Sequence, residues 1–442
     1  MLKRGLIGAG GTLGGGVSYW LGLLGGTGTD EFRACAVDSN GEIIAVGRTT
    51  SDGAGLSDCL IAKYDSSGTL LWDRTLGGAG NDDIFHSAAV DSADNIIAVG
   101  QTNSDGAGGL DALISKYDSS GTLIWDRTLG GTGGDLFYSA AVDSADNIIA
   151  VGYTASDGAG NNDCLIAKYD SSGALLWDRT LGGADTDLFF GLSVDSADNI
   201  IAVGYTDSDG AGTIDCLIAK YDSSGTLLWD RTFGGISNDL FFSAAVDSAD
   251  NIIAVGYTAS ATTPSGLIAF IAKYASSGTL LWRRHIGSTG SEIFRGAAVD
   301  SADNIIAVGQ TNSDGAGGLD ALIYKYDSSG TLLWDRTLGG TGNDVFYCAA
   351  VDSADNIIAV GHTISVGAGS NDCLIAKLPP DGSGVGTYGG LTYQDAALIG
   401  IAASIVDAVA VLTDAPAALT DAVAVLTDAT AILTEEFFEI PA

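Results

Sequence analysis

The side chains best placed to do chemistry are carboxylates that return at fixed intervals. The loop Ser-Asp-Gly-Ala-Gly starts at Ser51, Ser104, Ser156, Ser208 and Ser313, and a second aspartate follows at Asp58, Asp111, Asp163, Asp215 and Asp320. Paired loop carboxylates suit a hard cation such as Ca2+. The candidate ligands are Asp52, Asp58, Asp105, Asp111, Asp157 and Asp163. No copy has the D-x-D-x-D-G spacing of a calcium loop, so solvated turn residues are the competing reading, and no cofactor other than Ca2+ is expected.

A second constellation is basic. One stretch replaces the acidic loop with Ala261-Thr262-Thr263-Pro264-Ser265-Gly266, carries Ala275 at a turn aspartate position, and gathers Arg283, Arg284, His285 and Arg295. In an acidic chain such a cluster reads as a contact for an acidic partner surface, with drift of one repeat as the alternative. With three His in 442 residues, a His-based catalytic or zinc centre has little to be built from. No Ser/His/Asp set or Cys/His pair appears with usable spacing, so the chain reads as a non-enzymatic module. Gly8-Ala9-Gly10-Gly11-Thr12-Leu13-Gly14 looks like a dinucleotide loop, but Leu13 stands where the third Gly belongs and no helix pattern follows.

Charge narrows the partners. Lys+Arg number 19 against 55 Asp+Glu, a net charge of -36, so the long-range field repels nucleic acid. Hydrophobic residues make up 46%, enough for a large core, and the 64 Gly show no collagen period. The apolar stretch 396–412 is short for a membrane span and is interrupted by Asp407, so no membrane insertion is expected. Cys59, Cys164, Cys216 and Cys373 share one repeat position, with Cys35 and Cys348 elsewhere, and all six read as reduced core fillers.

These residues are positioned by an internal repeat. Val-Asp-Ser begins at Val37, Val90, Val142, Val194, Val246, Val299 and Val351, with spacings of 53, 52, 52, 52, 53 and 52. Each copy holds four strand-like runs parted by turn signals, which predicts an all-β, seven-bladed propeller of four-stranded blades. The fourth strand carries Trp72, Trp125, Trp177, Trp229, Trp282 and Trp334, and none follows Lys377. The missing strand is at the front, where Tyr19-Trp20-Leu21-Gly22 aligns with Leu71-Trp72-Asp73-Arg74, so the N-terminal strand is expected to close the ring. Small Ser-Ala-Ala-Val segments are expected at the axis and Trp between blades at the rim.

The unit Lys-Tyr-Asp-Ser-Ser-Gly-Thr-Leu-Leu-Trp-Asp-Arg-Thr-Leu-Gly-Gly, followed by Val-Asp-Ser-Ala-Asp-Asn-Ile-Ile-Ala-Val-Gly, resembles the bacterial seven-bladed β-propeller repeat often called SBBP, over residues 18–378. With its Met-Leu-Lys-Arg-Gly-Leu start and Leu-Thr-Asp tail, the chain is also similar to virion-associated propeller proteins of marine bacterial viruses. That resemblance implies a structural or recognition propeller on a phage tail or capsid surface, assembled in the bacterial cytoplasm. Its partners would be other virion proteins and a host surface glycan or protein. A bacterial cell-surface or secreted adhesive propeller is the alternative. The Asp-Ser-Ser-Gly-x-Leu-Leu-Trp element is similar to quinoprotein propellers as well, which implies a quinone-dependent dehydrogenase as a more distant alternative, without the adjacent Cys pair.

Three segments result: a Gly-rich arm at 1–17, the propeller at 18–378, and a tail at 379–442 for oligomerisation or anchoring. The tail repeats every seven residues at Asp407, Asp414, Asp421, Asp428 and Glu435, with Leu412, Leu419, Leu426 and Leu433 in register. As a helix it has a wide apolar face, to be buried by self-association. Pro416 opposes one unbroken helix, and short strands with turns at Thr-Asp, or an extended arm, remain open.

Overall fold

Ile-Ile-Ala-Val-Gly-x-Thr and Asp-Cys-Leu-Ile-Ala-Lys-Tyr are too apolar for a strand with a wet face, and each folds as a strand buried on both sides, as at Ile148–Thr154 and Asp163–Tyr169. Leu175–Gly182 alternates instead, with Leu176 51% exposed, because it lies at a sheet edge. The computed structural model describes residues 19–79, 82–260, 266–287 and 290–396, and beyond them the backbone of six short strands ending at Ile440. The Gly8–Gly14 loop lies outside the described residues.

The described elements are all strands, in seven antiparallel sheets. Blades 1 to 6 span Asp30–Gly77, Ile84–Gly130, Asp135–Gly182, Asp187–Gly234, Asp239–Gly287 and Glu292–Gly339. Blade 7 is built from both chain ends: Asp344–Val351, Ile357–Thr363 and Asp372–Leu378, then Tyr19–Gly25 as the fourth strand, with Trp20 opposite Lys377. The expected closure is observed, and Trp20 is fully buried.

Three devices join neighbouring blades. Each repeat lysine is buried on its own blade's aspartate, as Lys168 on Asp143 at 2.8 Å, and donates to a turn carbonyl of the following blade, Ser223. The rim Trp packs under a turn glycine of the following blade. Gly173 has φ +84°, and a Cβ there would stand 2.9 Å from the Trp125 ring. In the third device, the inner turn of one blade donates to a left-handed aspartate of the next. Ser144 N and Oγ bond Asp198, whose φ is 60°. Gly41 occupies this aspartate position in blade 1, so the seam from blade 7 to blade 1 lacks the carboxylate.

The tail departs from its expected helix. Pro379 to Gly382 form the turn that Asp-Ser-Ser-Gly forms elsewhere, and the Pro380 carbonyl accepts from Lys325 and Trp334. The ring therefore runs past residue 378. The chain then adds a fifth strand to every blade. Leu391–Gln394 pairs with blade 6, Ile399–Gly400 with blade 5, and Val406–Ala408 with blade 4. Thr413–Ala415, Thr420–Ala422 and Thr427–Ala429 follow on blades 3, 2 and 1. Thr434–Ile440 ends on blade 7, against Tyr19–Gly25. The seven-residue period is the stride from blade to blade. Seven extended residues reach about 23–25 Å. The Thr-Asp steps are strands rather than turns, and they cover the open edge at the end of each outer strand. Pro416 lies outside the described residues.

Candidate functional site

The residue after the first-strand Phe changes type from blade to blade. It is Arg33 in blade 1, His86 in blade 2 and Tyr138 in blade 3. Phe190, Phe242, Arg295 and Tyr347 follow in blades 4 to 7. In every blade this residue is a β-bulge: the register skips it between Phe32 and Ala34 in blade 1, and likewise in the other six. A bulge inserts an unpaired residue and re-aims its side chain. The partner strand accommodates it with glycine, since a Cβ on Gly47 would overlap the Glu31 carbonyl.

The bulged side chains touch in sequence around the axis. Ring centres lie 5.2 Å apart for His86–Tyr138, 4.7 Å for Tyr138–Phe190 and 5.3 Å for Phe190–Phe242. The Arg295 guanidinium sits between Phe242 and Tyr347, at 5.2 and 5.3 Å from the ring centres, and Arg33 covers Tyr347 at 5.6 Å. A second tier comes from the next strand, where Gln310 accepts from Arg295 Nε at 3.0 Å. Arg48 and Arg33 both bond Glu31, at 3.1 and 2.9 Å. Although burial alone would raise it, the two guanidiniums hold the Glu31 carboxyl down at about 2. Burial and then Arg33 push the His86 imidazole down to about 3, so it is neutral near pH 7.

Arg33, Arg48 and Arg295 stand out in the cation census. Seven lysines bind the repeat aspartates. Five of the six repeat arginines stack on the rim Trp, several donate to the following blade, as Arg127 does to the Gly173 carbonyl, and the sixth, Arg231, has a buried Nε without a partner. Apart from Arg283, the described cations outside repeat positions are these three. The Arg33 Nε is buried without a partner. Among the described residues, Arg295 hydrogen-bonds to Gln310 alone. The arrangement therefore offers unengaged guanidinium donors flanked by aromatic faces, which is a site for an anion carried on a ring. Small residues were expected at the axis, and the bulge is why large ones reach it.

The structure divides the four basic residues singled out in the sequence. Arg284 is the repeat clamp, donating to the Gly330 carbonyl at 2.8 Å and stacking on Trp282. Arg283 lies over Phe233 of blade 4. His285 is buried and stacked on Phe270, and burial lowers it to about 4. Arg295 is on the innermost strand of blade 6, at the axis. A single docking patch through all four does not exist. Residues 261–265 lie outside the described residues.

The calcium candidates also have other roles. Asp58 accepts from Ala54 N and Gly55 N, Asp111 from Ala107 N, and Asp163 from Gly160 N, so each staples its own loop. Asp52, Asp105 and Asp157 sit half-buried at the loop starts. Among the described residues no group of three or more His, Cys, Asp or Glu comes together to hold a metal ion. Asp30, Asp83, Asp135, Asp187, Asp239 and Asp344, where the chain enters each of blades 1 to 5 and 7, are fully buried. Asp135 accepts from Gly131 N and Ser156 Oγ.

Two other sets of aspartates set the pH response. Burial, aided by a facing aspartate, raises Asp58, Asp111, Asp163, Asp320 and Asp372, and lifts Asp215 to about 6. Folding favours their protonated forms, so this contribution is full below the unfolded value of about 4 and is lost as pH rises through their raised folded values, about 6 for Asp215. The lysine-bound Asp91, Asp143, Asp195, Asp247, Asp300 and Asp352 are lowered despite burial, by Lys and Asn hydrogen bonds. Their contribution is present above about 4 and is lost below it. The melting temperature should therefore peak between about pH 4 and 6 and fall by several degrees toward pH 8. Scanning fluorimetry at constant ionic strength checks this, and a steady rise to pH 8 would contradict it.

No family model matches the chain. It is 23% identical over 435 residues to an uncharacterised WD repeat-containing protein of Acanthamoeba polyphaga mimivirus, covering 70% of this chain and 31% of that one. It is 23% identical over 372 residues to the regulatory protein FlaEY of Caulobacter vibrioides, covering 70% and 38%. The chain thus spans about a third of the length of these relatives. Among solved structures it is similar to PorZ of Porphyromonas gingivalis, a bacterial surface component of the type-IX secretion system, at TM-score 0.38 and 12% identity, covering 81% of this chain and 56% of that one. It is also similar to a gluconolactonase of Xanthomonas campestris at TM-score 0.34 and 16% identity, covering 73% and 90%.

Proposed function

We propose that the chain is a non-enzymatic recognition propeller that binds a carboxylate-bearing saccharide at the axial mouth, displayed on a virus particle surface. The observation that carries the binding role is the bulge position. The blades differ there in residue type, and there the chain places Arg33 and Arg295 around Tyr347. Guanidinium forks bind carboxylates in a bidentate manner, and flat aromatic faces suit the apolar side of a sugar ring. The neutral His86 and the ion-paired Glu31 do not form an acid–base pair poised near pH 7. The display role rests on the resemblance to virion-associated propellers and on the viral relative.

The binding role is tested by calorimetric titration of the full chain with an oligoglucuronate and with a neutral oligoglucose of equal length. Preference for the acidic probe, reduced at least tenfold by the double variant Arg33→Gln, Arg295→Gln, is the expected result. Equal binding of both probes, or full retention by the variant, rejects the axial site. Mass spectrometry of purified particles tests the display role. Recovery only from the cell surface or the medium would favour an adhesive propeller instead.

A further inference from the structure

We propose that Cys35 and Cys348 form a redox-dependent latch across the seam between blades 7 and 1. Four of the six thiols, Cys59, Cys164, Cys216 and Cys373, fill one repeated position and are fully buried. Cys35 and Cys348 do not belong to that set. They stand on the first strands of blades 1 and 7, one residue out of step in the repeat. Inner strands of neighbouring blades bring these two positions together at other seams as well. Ser87 Oγ accepts from Ala140 N at 3.2 Å, and Ser243 Oγ accepts from Ala297 N at 3.3 Å. Only at the seam from blade 7 to blade 1 are both residues cysteine, and there the two Sγ atoms lie 3.4 Å apart.

That seam has a particular need. Blade 7 is assembled from both ends of the chain, and no peptide bond joins its third and fourth strands. Gly41 also deprives this seam of the serine–aspartate bond made at the other six. A bond between residues 313 apart in sequence would tie the two ends of the ring where the polar latch is missing.

The chemistry balances with a low-molecular-weight disulfide as the oxidant. Cys348 is half-buried toward the axis while Cys35 is buried, so Cys348 is the first nucleophile. The hydrogen bond donated by Cys35 lowers the Cys348 thiol. Its thiolate attacks the reagent disulfide, forming a mixed disulfide and releasing one thiol. Cys35, on losing its proton, attacks the Cys348 sulfur, forming the Cys35–Cys348 bond and releasing the second thiol. The two protons from the protein end on the two released thiols. The protein dithiol is oxidised by two electrons, and the reagent is reduced by the same two.

The test uses the full chain exposed to 2-hydroxyethyl disulfide or to dithiothreitol. After the oxidant, denaturation should expose four titratable thiols instead of six, and non-reducing peptide mapping should show Cys35 joined to Cys348. The melting temperature should rise by several degrees and return with dithiothreitol. Cys35→Ser and Cys348→Ser should each abolish the rise while keeping the reduced protein's melting temperature. Six thiols after oxidation, a stable mixed disulfide on Cys348, or a crosslink through any of the other four thiols would each overturn the latch.

Discussion

Deleting residues 1–26 should convert the closed ring into an aggregating, early-melting chain. The deletion removes the fourth strand of blade 7 and with it Trp20, Leu21, Leu23 and Leu24, all buried. Burial of such side chains contributes about 1.5–3 kcal/mol each, so roughly 6–12 kcal/mol is lost. Whole domains are stable by about 5–15 kcal/mol, so the loss is comparable to the total. It also bares two edges at once, because Tyr19–Gly25 pairs with Asp372–Leu378 on one side and Thr434–Ile440 on the other. Exposed edges recruit other chains. Sedimentation and thermal melting check the outcome. A synthetic peptide spanning residues 17–27, added during refolding, should restore the sedimentation behaviour of the intact chain. A truncated protein that stays monomeric with unchanged melting would refute closure by this strand.

The ring was legible because its signal is summed over seven copies. Val-Asp-Ser spacing sets the blade, and the count of Trp residues identifies Trp20 as the missing strand. The axial site is carried by one bulged residue per blade and the second-strand residue beside it, such as Arg48 and Gln310, and a repeat reading discards positions where the copies disagree. The available signal was that disagreement, Arg33 and Arg295 against Phe190 and Phe242, beside an invariant Phe. Nothing in the sequence marks that residue as a bulge, so its aim toward the axis follows only from the strand register. Arg295 looked like a neighbour of Arg283 because they are 12 residues apart in sequence. A propeller places the end of one blade at the rim and the start of the next at the axis, which separates them.

The tail was misread for a different reason. A seven-residue period is shared by a heptad helix and by a strand that visits one blade per stride, and the period alone does not distinguish them. The step count does: 399, 406, 413, 420, 427 and 434 begin successive strands on successive blades. Magnitudes say how such a belt is held. A three-residue pairing offers two or three hydrogen bonds, worth about 0.5–1.5 kcal/mol each. Ordering seven residues costs about 1–2 kcal/mol per residue. No single stride is self-sustaining, so the belt depends on its two anchored ends. One is the hairpin of Gly386–Tyr388 and Leu391–Gln394, with Leu391 and Tyr393 buried on blade 6. The other is Thr434–Ile440, seven residue pairs long.

Removing residues 430–442 should therefore release strides that the deletion does not touch. Amide exchange should accelerate at least tenfold at the ends of the outer strands in blades 1 to 4, at Leu76, Leu129, Leu181 and Phe233, which pair with Asp428, Asp421, Asp414 and Asp407. Unchanged exchange there would show that each stride holds by itself. A second deletion separates the belt from a heptad helix. Excising residues 409–415 takes out one whole period, which leaves a helical seam in register and merely shorter. A belt of six strands around seven blades instead leaves one outer edge bare or pulls Thr434–Ile440 from Tyr19–Gly25, and both should lower the melting temperature and promote edge-to-edge association. Loss of three residues, 409–411, is a sharper case. The remaining four residues of that stride reach about 13–14 Å, short of the next blade, so the belt should detach on both sides of the cut.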